Sequence, residues 1–173
     1  MNEAQMIAGV YNPLRPLVLG VLSEARKEGL PVVMQYGLRT FDQQHQIWLQ
    51  GRDSAHPGTI VTQADSGQSM HNYGRAFDIT LVSGLETQSL LDDRWFPDCD
   101  KRWYQLGAIG EKIGLVWGGR FMVNGKHFFD AAHFELPGIK VEQLFSWYIE
   151  LSKQLGPAPT LILQKIWEKC AGR

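Results

Sequence analysis

The chain has 173 residues, enough for one compact domain or one domain with a small appendage. Its composition, 44% hydrophobic and 20% charged, excludes a disordered or low-complexity chain. With 17 Lys+Arg against 18 Asp+Glu the net charge is -1, which argues against nucleic acid as a partner, because such domains are usually strongly basic. A chain of this length buries roughly 70% of its unfolded surface and needs neither disulfide nor metal merely to fold. Cys99 and Cys170 lie far apart and are read as two unrelated, reduced thiols. The apolar run from Leu17 to Leu22 is shorter than the ~20 residues of a membrane span. The opening MNEAQMIAG has no basic n-region, so the chain is expected to start its life in a cytoplasm.

In chain order, the first predicted helix is capped by Asn12, carries Pro13 in its first turn, and shows an apolar stripe of Leu14, Leu17, Val18, Val21, Leu22 and Ala25 before Gly29 stops it. Pro31–Tyr36 reads as a buried strand. A short helix follows from about Asp42 to Gln50, capped by Thr40 or Asp42, and residues 51–68 form a long polar loop of the kind that is usually functional or mobile. Arg75–Val82 reads as a strand with some alternation, and residues 83–100 as a solvated acidic loop carrying Glu86, Asp92, Asp93, Asp98 and Asp100. Lys101–Ile113 is a helix capped by Asp100 and ended by Gly114. Leu115–Trp117 is a short strand broken by Gly118-Gly119, Phe121–Phe128 a hairpin turning at Asn124-Gly125, and His133–Leu136 a further strand. Two amphipathic helices close the chain: one with Val141, Leu144, Phe145, Tyr148 and Leu151, the other capped by Thr160 with Ile162, Leu163, Ile166, Trp167 and Cys170 on its apolar face. Helices and strands mix without a regular βαβ rhythm, so the expected class is α+β, a small, mostly antiparallel sheet flanked by helices with an extra C-terminal helix.

The chemistry gathers around a few polar residues. Any one of the 5 histidines alone is more commonly a surface or structural residue; company changes that. His71 closes the run Gly67-Gln68-Ser69-Met70, and Gly74 permits a tight turn between it and Asp78. Asp78 stands between Phe77 and Ile79 in an apolar strand, where a carboxylate needs a cation or several donors. His133 adds a second imidazole, with Asp130 three residues before it. Two imidazoles and a carboxylate suit a catalytic zinc with a fourth position open for water, and a further carboxylate such as Asp130 suits the general base.

The run from Ser69 to Asp78 matches SxHxxGxAxD, the signature of the zinc peptidases that include D,D-carboxypeptidases, D,D-dipeptidases and L-alanyl-D-glutamate endopeptidases. Tyr36-Gly37-Leu38-Arg39-Thr40 with Phe41-Asp42-Gln43-Gln44 resembles that family's GxRTxxxQ element, and Gly51-Arg52 with Val61-Thr62-Gln63-Ala64 the loop leading to the signature. Gly114-Leu115-Val116-Trp117-Gly118-Gly119 resembles GLxWGG, and Asp130-Ala131-Ala132-His133-Phe134-Glu135 resembles DxxHFE. The ordered elements run from about Leu30 to Gly138 and most resemble phage endolysins and related cell-wall L-alanyl-D-glutamate peptidases, with a fold of the Hedgehog/D,D-peptidase kind.

The resemblance implies that His71, Asp78 and His133 hold one Zn2+, that Asp130 is the general base, that Arg39 binds the scissile carbonyl oxygen or a nearby carboxylate, and that Ser69 helps hold the substrate. Glu135 is a second candidate base, with orientation of a ligand histidine as its preferred role. Trp117 and Tyr73 are candidates for lining the cleft, with core packing as the competing assignment. His127 is the rival for the third ligand, ranked below His133. Three departures touch the subsites: Arg120 after Gly118-Gly119, Ala131-Ala132 before the last histidine, and a longer segment over 121–129.

The expected function is hydrolysis of the L-Ala–D-Glu bond of peptidoglycan stem peptides by a monomeric phage or prophage endolysin, held in the host or bacterial cytoplasm until release to the wall. A D,D-carboxypeptidase or D,D-dipeptidase on the same site, and a non-enzymatic zinc-fold binding module, are the alternatives. Residues 1–155 are read as one zinc peptidase domain and 156–173 as an amphipathic helix docked on it. Lys165, Lys169 and Arg173 against Glu168 leave contact with anionic envelope lipids as a second role for that helix.

Overall fold

The computed structural model describes residues 2–83, 86–87, 101–123 and 125–172. Two compact bodies emerge, Met1–Gly37 with Ala76–Pro137, and Leu38–Arg75 with Gly138–Arg173. The expected acidic loop, apart from Ser83, which ends a strand, and a short strand at Glu86–Thr87, lies outside the described residues, as do the Asp100 cap, Cys99 and Asn124.

The first body holds helices α1 (Glu3–Gly9), α2 (Arg15–Lys27) and, later in the chain, α4 (Lys101–Ile113). Its strands are β1 (Val32–Tyr36), β2 (Ala76–Ser83), β3 (Glu86–Thr87), β4 (Val116–Trp117), β5 (Phe121–Val123), β6 (Lys126–Phe128) and β7 (His133–Glu135). Helix α1 escaped the sequence reading because its seven residues are too few to show an apolar stripe. A capping box holds it, with the Asn2 side chain accepting from Gln5 and the Gln5 side chain accepting from Asn2. Asn12 does not cap α2; it opens a 3-10 turn at Asn12–Leu14, and Pro16 takes the start of α2, where the missing N–H costs nothing.

The main sheet runs β1-β2-β7-β4 with every described pairing antiparallel, and β3 adds to β2. The α+β expectation is therefore met. Register fixes which residues share a face. Val32 lies opposite Leu81, Met34 opposite Ile79, Phe77 opposite Phe134, and Trp117 opposite Phe134. These side chains form one apolar face that joins Val18, Val21 and Leu22 of α2 and Leu106 and Ile109 of α4 in a single core. The other face carries Asp78, His133 and Glu135. Strand β1 alternates, with Val32 and Met34 buried and Tyr36 exposed, where a uniformly buried strand was expected. The register slips between Met34 and Tyr36, which sets Tyr36 opposite Asp78.

Two of the core rings, Trp117 and Phe134, sit in sockets made by missing side chains. A Cβ on Gly107 or on Gly119 would lie 2.3 Å from the Trp117 ring, and one on Gly110 would lie 2.3 Å from the Phe134 ring. Phe77 stacks on Phe134 at 5.5 Å, and the Trp117 indole donates to the Ala131 carbonyl at 2.9 Å.

The second body comprises α3 (Phe41–Leu49), a 3-10 turn at Met70–Tyr73, α5 (Val141–Leu155) and α6 (Pro159–Ala171). Thr40 caps α3 through a capping box with Gln43. Arg52 gathers the loop after α3: its guanidinium donates to the Trp48 and Thr62 carbonyls and lies 4.5 Å over the Trp48 ring. Thr160 is not the cap of α6. Ala158 holds that position and Pro159 starts the helix, so Thr160 falls inside the first turn. Helix α6 packs on α5 and buries Ile162, Ile166 and Cys170, and Lys169 reaches Glu150 of α5 at 3.4 Å. The Trp167 indole donates to the Tyr73 carbonyl at 2.8 Å. Among the described residues no helix is long and apolar enough to cross a membrane.

The aromatic sockets give a stability test. Gly110→Ala gains up to about 1 kcal/mol of helix propensity but forces a methyl into the Phe134 ring. Overpacking of that kind costs about 1–3 kcal/mol, so denaturant unfolding of Gly110→Ala should show a net loss. Gly9→Ala, where nothing lies within 4 Å, should show none.

Candidate metal centre

The centre starts with one cross-strand pair. Asp78 and His133 are direct partners in the β2–β7 ladder and point to the same side. His133 Nδ1 lies 3.3 Å from Asp78 Oδ1, while its Nε2–H donates to Glu135 Oε2 at 2.9 Å. Glu135 can do this because it stands two residues along the same strand, hence on the same face. The third member, His71, sits on the 3-10 turn, and one ligand atom from each of His71, Asp78 and His133 lies within 4.8 Å of the others.

Several residues fix the turn that presents His71. The Ser69 hydroxyl caps it by accepting from the His71 N–H at 3.3 Å. The Asn72 amide accepts from the Gly67 and Ser69 N–H groups and donates to the Arg39 and Thr40 carbonyls. Gly74 ends the turn in the left-handed region at φ 64°, which admits glycine without strain. The Arg39 N–H donates to the His71 carbonyl at 3.0 Å, so the arginine's backbone is tied directly to the histidine.

The electrostatics call for a cation. Burial alone would push the His133 imidazole down, but its hydrogen bonds to Asp78 and Glu135, with the charges of Asp130 and Asp78, raise it to about 10. A buried group bearing that much negative charge is relieved either by a proton on His133 or by a metal. Two imidazole nitrogens and one carboxylate oxygen are a donor set that fits zinc, and the Glu135–His133 pair supplies the carboxylate–histidine link usual behind such a ligand.

Asp130 begins the turn that delivers His133, its carbonyl accepting from the His133 N–H at 3.2 Å. The Asp130 N–H donates to the Gly118 carbonyl, and a Cβ on Gly118 would lie 2.5 Å from the Asp130 carbonyl oxygen. That close approach explains the glycine at this position. The Arg39 guanidinium donates to Gln44 Oε1 at 2.9 Å. Gln44 is fully buried and also donates to the Ala64 carbonyl. Sequence reasoning gave no role to Gln44 or Asn72. For Gln44 the signal was its place as the last residue of the GxRTxxxQ element that also holds Arg39.

Two expected cleft residues are corrected. Trp117 is 1% exposed on the core face of the sheet, and Tyr73 is 0% exposed. The Tyr73 hydroxyl donates to the Gly67 carbonyl at 2.9 Å, and burial, with Tyr148 nearby, pushes its pKa up. Their rings are consumed by packing, Tyr73 against Phe41 and Trp117 against Tyr104 and Phe129. His127 is not part of the donor group; it lies on β6 and its Nε2–H donates to the Gly119 carbonyl at 2.9 Å.

Residues 62–136, which include all three donors and Asp130, match the family model for D-alanyl-D-alanine carboxypeptidase. The chain is 33% identical over 134 residues to the peptidoglycan L-alanyl-D-glutamate endopeptidase CwlK of Bacillus subtilis, covering 73% of this chain and 75% of that protein. The solved structure of Serratia marcescens L-Ala D-Glu endopeptidase ChiX is similar at a TM-score of 0.50 and 18% identity, covering 79% of this chain and 86% of that one. A variant of the D,D-pentapeptidase VanY from a VanB-type vancomycin resistance cassette, in complex with Zn(II), is similar at a TM-score of 0.54 and 16% identity, covering 89% and 83%. At these identities the structural likeness shows a shared fold.

Two outcomes test the centre. Glu135→Gln should weaken zinc affinity by about 10–100-fold in a chelator competition. The second concerns pH. In the zinc-free protein His133 is raised from its ordinary 6.5 to about 10, so its contribution to stability is complete below 6.5 and lost as pH climbs through 10. Zinc needs the neutral imidazole and replaces the proton, so the gap in Tm between zinc-loaded and zinc-free protein should widen over that interval.

Proposed function

We propose that this chain, which belongs to the peptidase family that takes in D-alanyl-D-alanine carboxypeptidases and the endopeptidase CwlK, hydrolyses the L-alanyl–D-glutamate bond of peptidoglycan stem peptides. The family is zinc-dependent, and the His71, Asp78 and His133 group fits that ion. The observation that carries the choice of bond is the 33% identity with CwlK. The resemblance to endolysins supports a lytic role within the same proposal, from a cytoplasmic store that reaches the wall on release.

In this reading His71, Asp78 and His133 hold the metal, and Glu135 keeps the His133 proton on Nε2 so that Nδ1 is left for ligation. When bound, zinc supplies Lewis-acid activation of the water nucleophile and the scissile carbonyl. Asp130 takes the proton from the attacking water and returns it to the departing amine as the C–N bond breaks and the C–O bond forms. Arg39, braced by Gln44, steadies the carbonyl oxygen or a neighbouring carboxylate. Ser69 serves the site by capping the turn that carries His71.

A D,D-peptidase activity is the second reading, favoured by the family description and by the fold shared with VanY. Mass spectrometry of digested peptidoglycan separates the two. Release of stem peptide from L-Ala is expected, abolished by chelator and restored by zinc; loss of terminal D-Ala alone would overturn the choice of bond. Asp130→Ala should retain zinc and lose activity by at least about 100-fold, the low end for a general base.

A further inference from the structure

The hairpin of β5 and β6 has two unlike faces. Phe121 is the register partner of Phe128, and Val123 of Lys126, so these four side chains share one face; Met122 and His127 share the other. The first face begins at the metal centre, with the Phe121 ring 5.5 Å from the His133 ring. It then runs outward through Phe128, 43% exposed, and Val123, 45% exposed. The base of the hairpin is anchored by the bond from His127 to the Gly119 carbonyl and by the Arg120–Glu111 ion pair at 2.5 Å. An apolar strip continuous with a reactive centre, left in water yet held in place, is a surface built to receive something.

We infer that this face is a saccharide platform that binds the glycan strand next to the stem peptide being cut. The inference rests on the proposed choice of bond. A peptide that presents its L-Ala carbonyl beside His133 must extend over the neighbouring surface. On one side of the scissile bond it offers a D-glutamyl carboxylate, a diamino acid and D-alanine, which are charged or small. On the other it is joined through a lactyl ether to a pyranose ring. The C–H face of that ring is the extended nonpolar surface nearest the bond, and it matches the Phe121 and Phe128 rings and the Val123 methyls. The Lys126 ammonium, on the same face, donates to ring substituents. The platform makes the enzyme prefer stems still attached to glycan over stems already released.

The test uses the zinc-loaded full chain with two substrates, a muramyl-linked stem tripeptide and the same tripeptide without sugar. The peptide-free disaccharide of N-acetylglucosamine and N-acetylmuramic acid is the binding probe, followed by NMR. Wild type should favour the sugar-bearing substrate by about tenfold in kcat/KM, the equivalent of one aromatic contact. Phe128→Ala should cut that preference by about fivefold or more and remove the disaccharide-induced shifts. Phe128→Tyr should keep both, and so should Met122→Ala, which changes the opposite face. Equal rates on the two substrates, or a preference that survives Phe128→Ala, would overturn the platform. If neither substrate is cut between L-Ala and D-Glu, the choice of bond fails, and the disaccharide decides alone: shifts lost in Phe128→Ala uphold the platform, and an absence of shifts in wild type refutes it.

Discussion

Everything at the centre depends on one register: Asp78 and His133 face each other across β2 and β7. Strand pairing brings a carboxylate and an imidazole into contact, and period-two alternation adds Glu135 on the same side. A slip of one residue in either strand would turn that strand's polar members into the core and bring its ring, Phe77 or Phe134, out. The penalty for exposing those two stacked rings is what holds the polar residues where they are. The hydrophobic face thus specifies the reactive one, although the two share no atoms of function.

The cost of this arrangement is electrostatic. Asp78, Glu135 and Asp130 act on one buried imidazole, which stays protonated well above its ordinary range. The surroundings of His133 are poised for a positive charge, which a proton on the ring supplies and which the donor chemistry of His71, Asp78 and His133 also suits. His71 in turn is held by local bonds from Ser69, Asn72, Gly74 and Arg39, nearly all made by backbone or by short side chains with few rotamers to lose.

Much of this was legible in the sequence, for identifiable reasons. The strands and α4 carry strong apolar patterns, and a carboxylate between Phe77 and Ile79 has few physical excuses besides a cation. The helix caps were less legible: Asn12 and Thr160 have the chemistry of caps, but prolines at positions 16 and 159 took the helix starts. Trp117 and Tyr73 were misplaced for a different reason. An aromatic beside catalytic motifs looks the same in sequence whether it faces substrate or core, and only the register with Phe134 and the bond to Gly67 decide. Gln44 was legible as the last residue of GxRTxxxQ but its task was not, because its partners, Arg39 and the Ala64 carbonyl, come from either side of α3 and meet only after folding.

The sockets for Trp117 and Phe134 carry a consequence for how such a chain can drift. Gly107 and Gly119 exist in service of the indole, and Gly110 in service of the phenyl ring. Each ring and its glycines amount to a single heritable unit of shape, spread over positions that are not neighbours in the chain. A smaller residue at Trp117 would leave a void that two new methyl groups could fill, whereas a methyl that appears first has nowhere to go. The order of substitution is therefore constrained: ring first, glycines afterwards. Descendants of this fold should change their GLxWGG segment and the glycine pair of α4 together, and in that sequence.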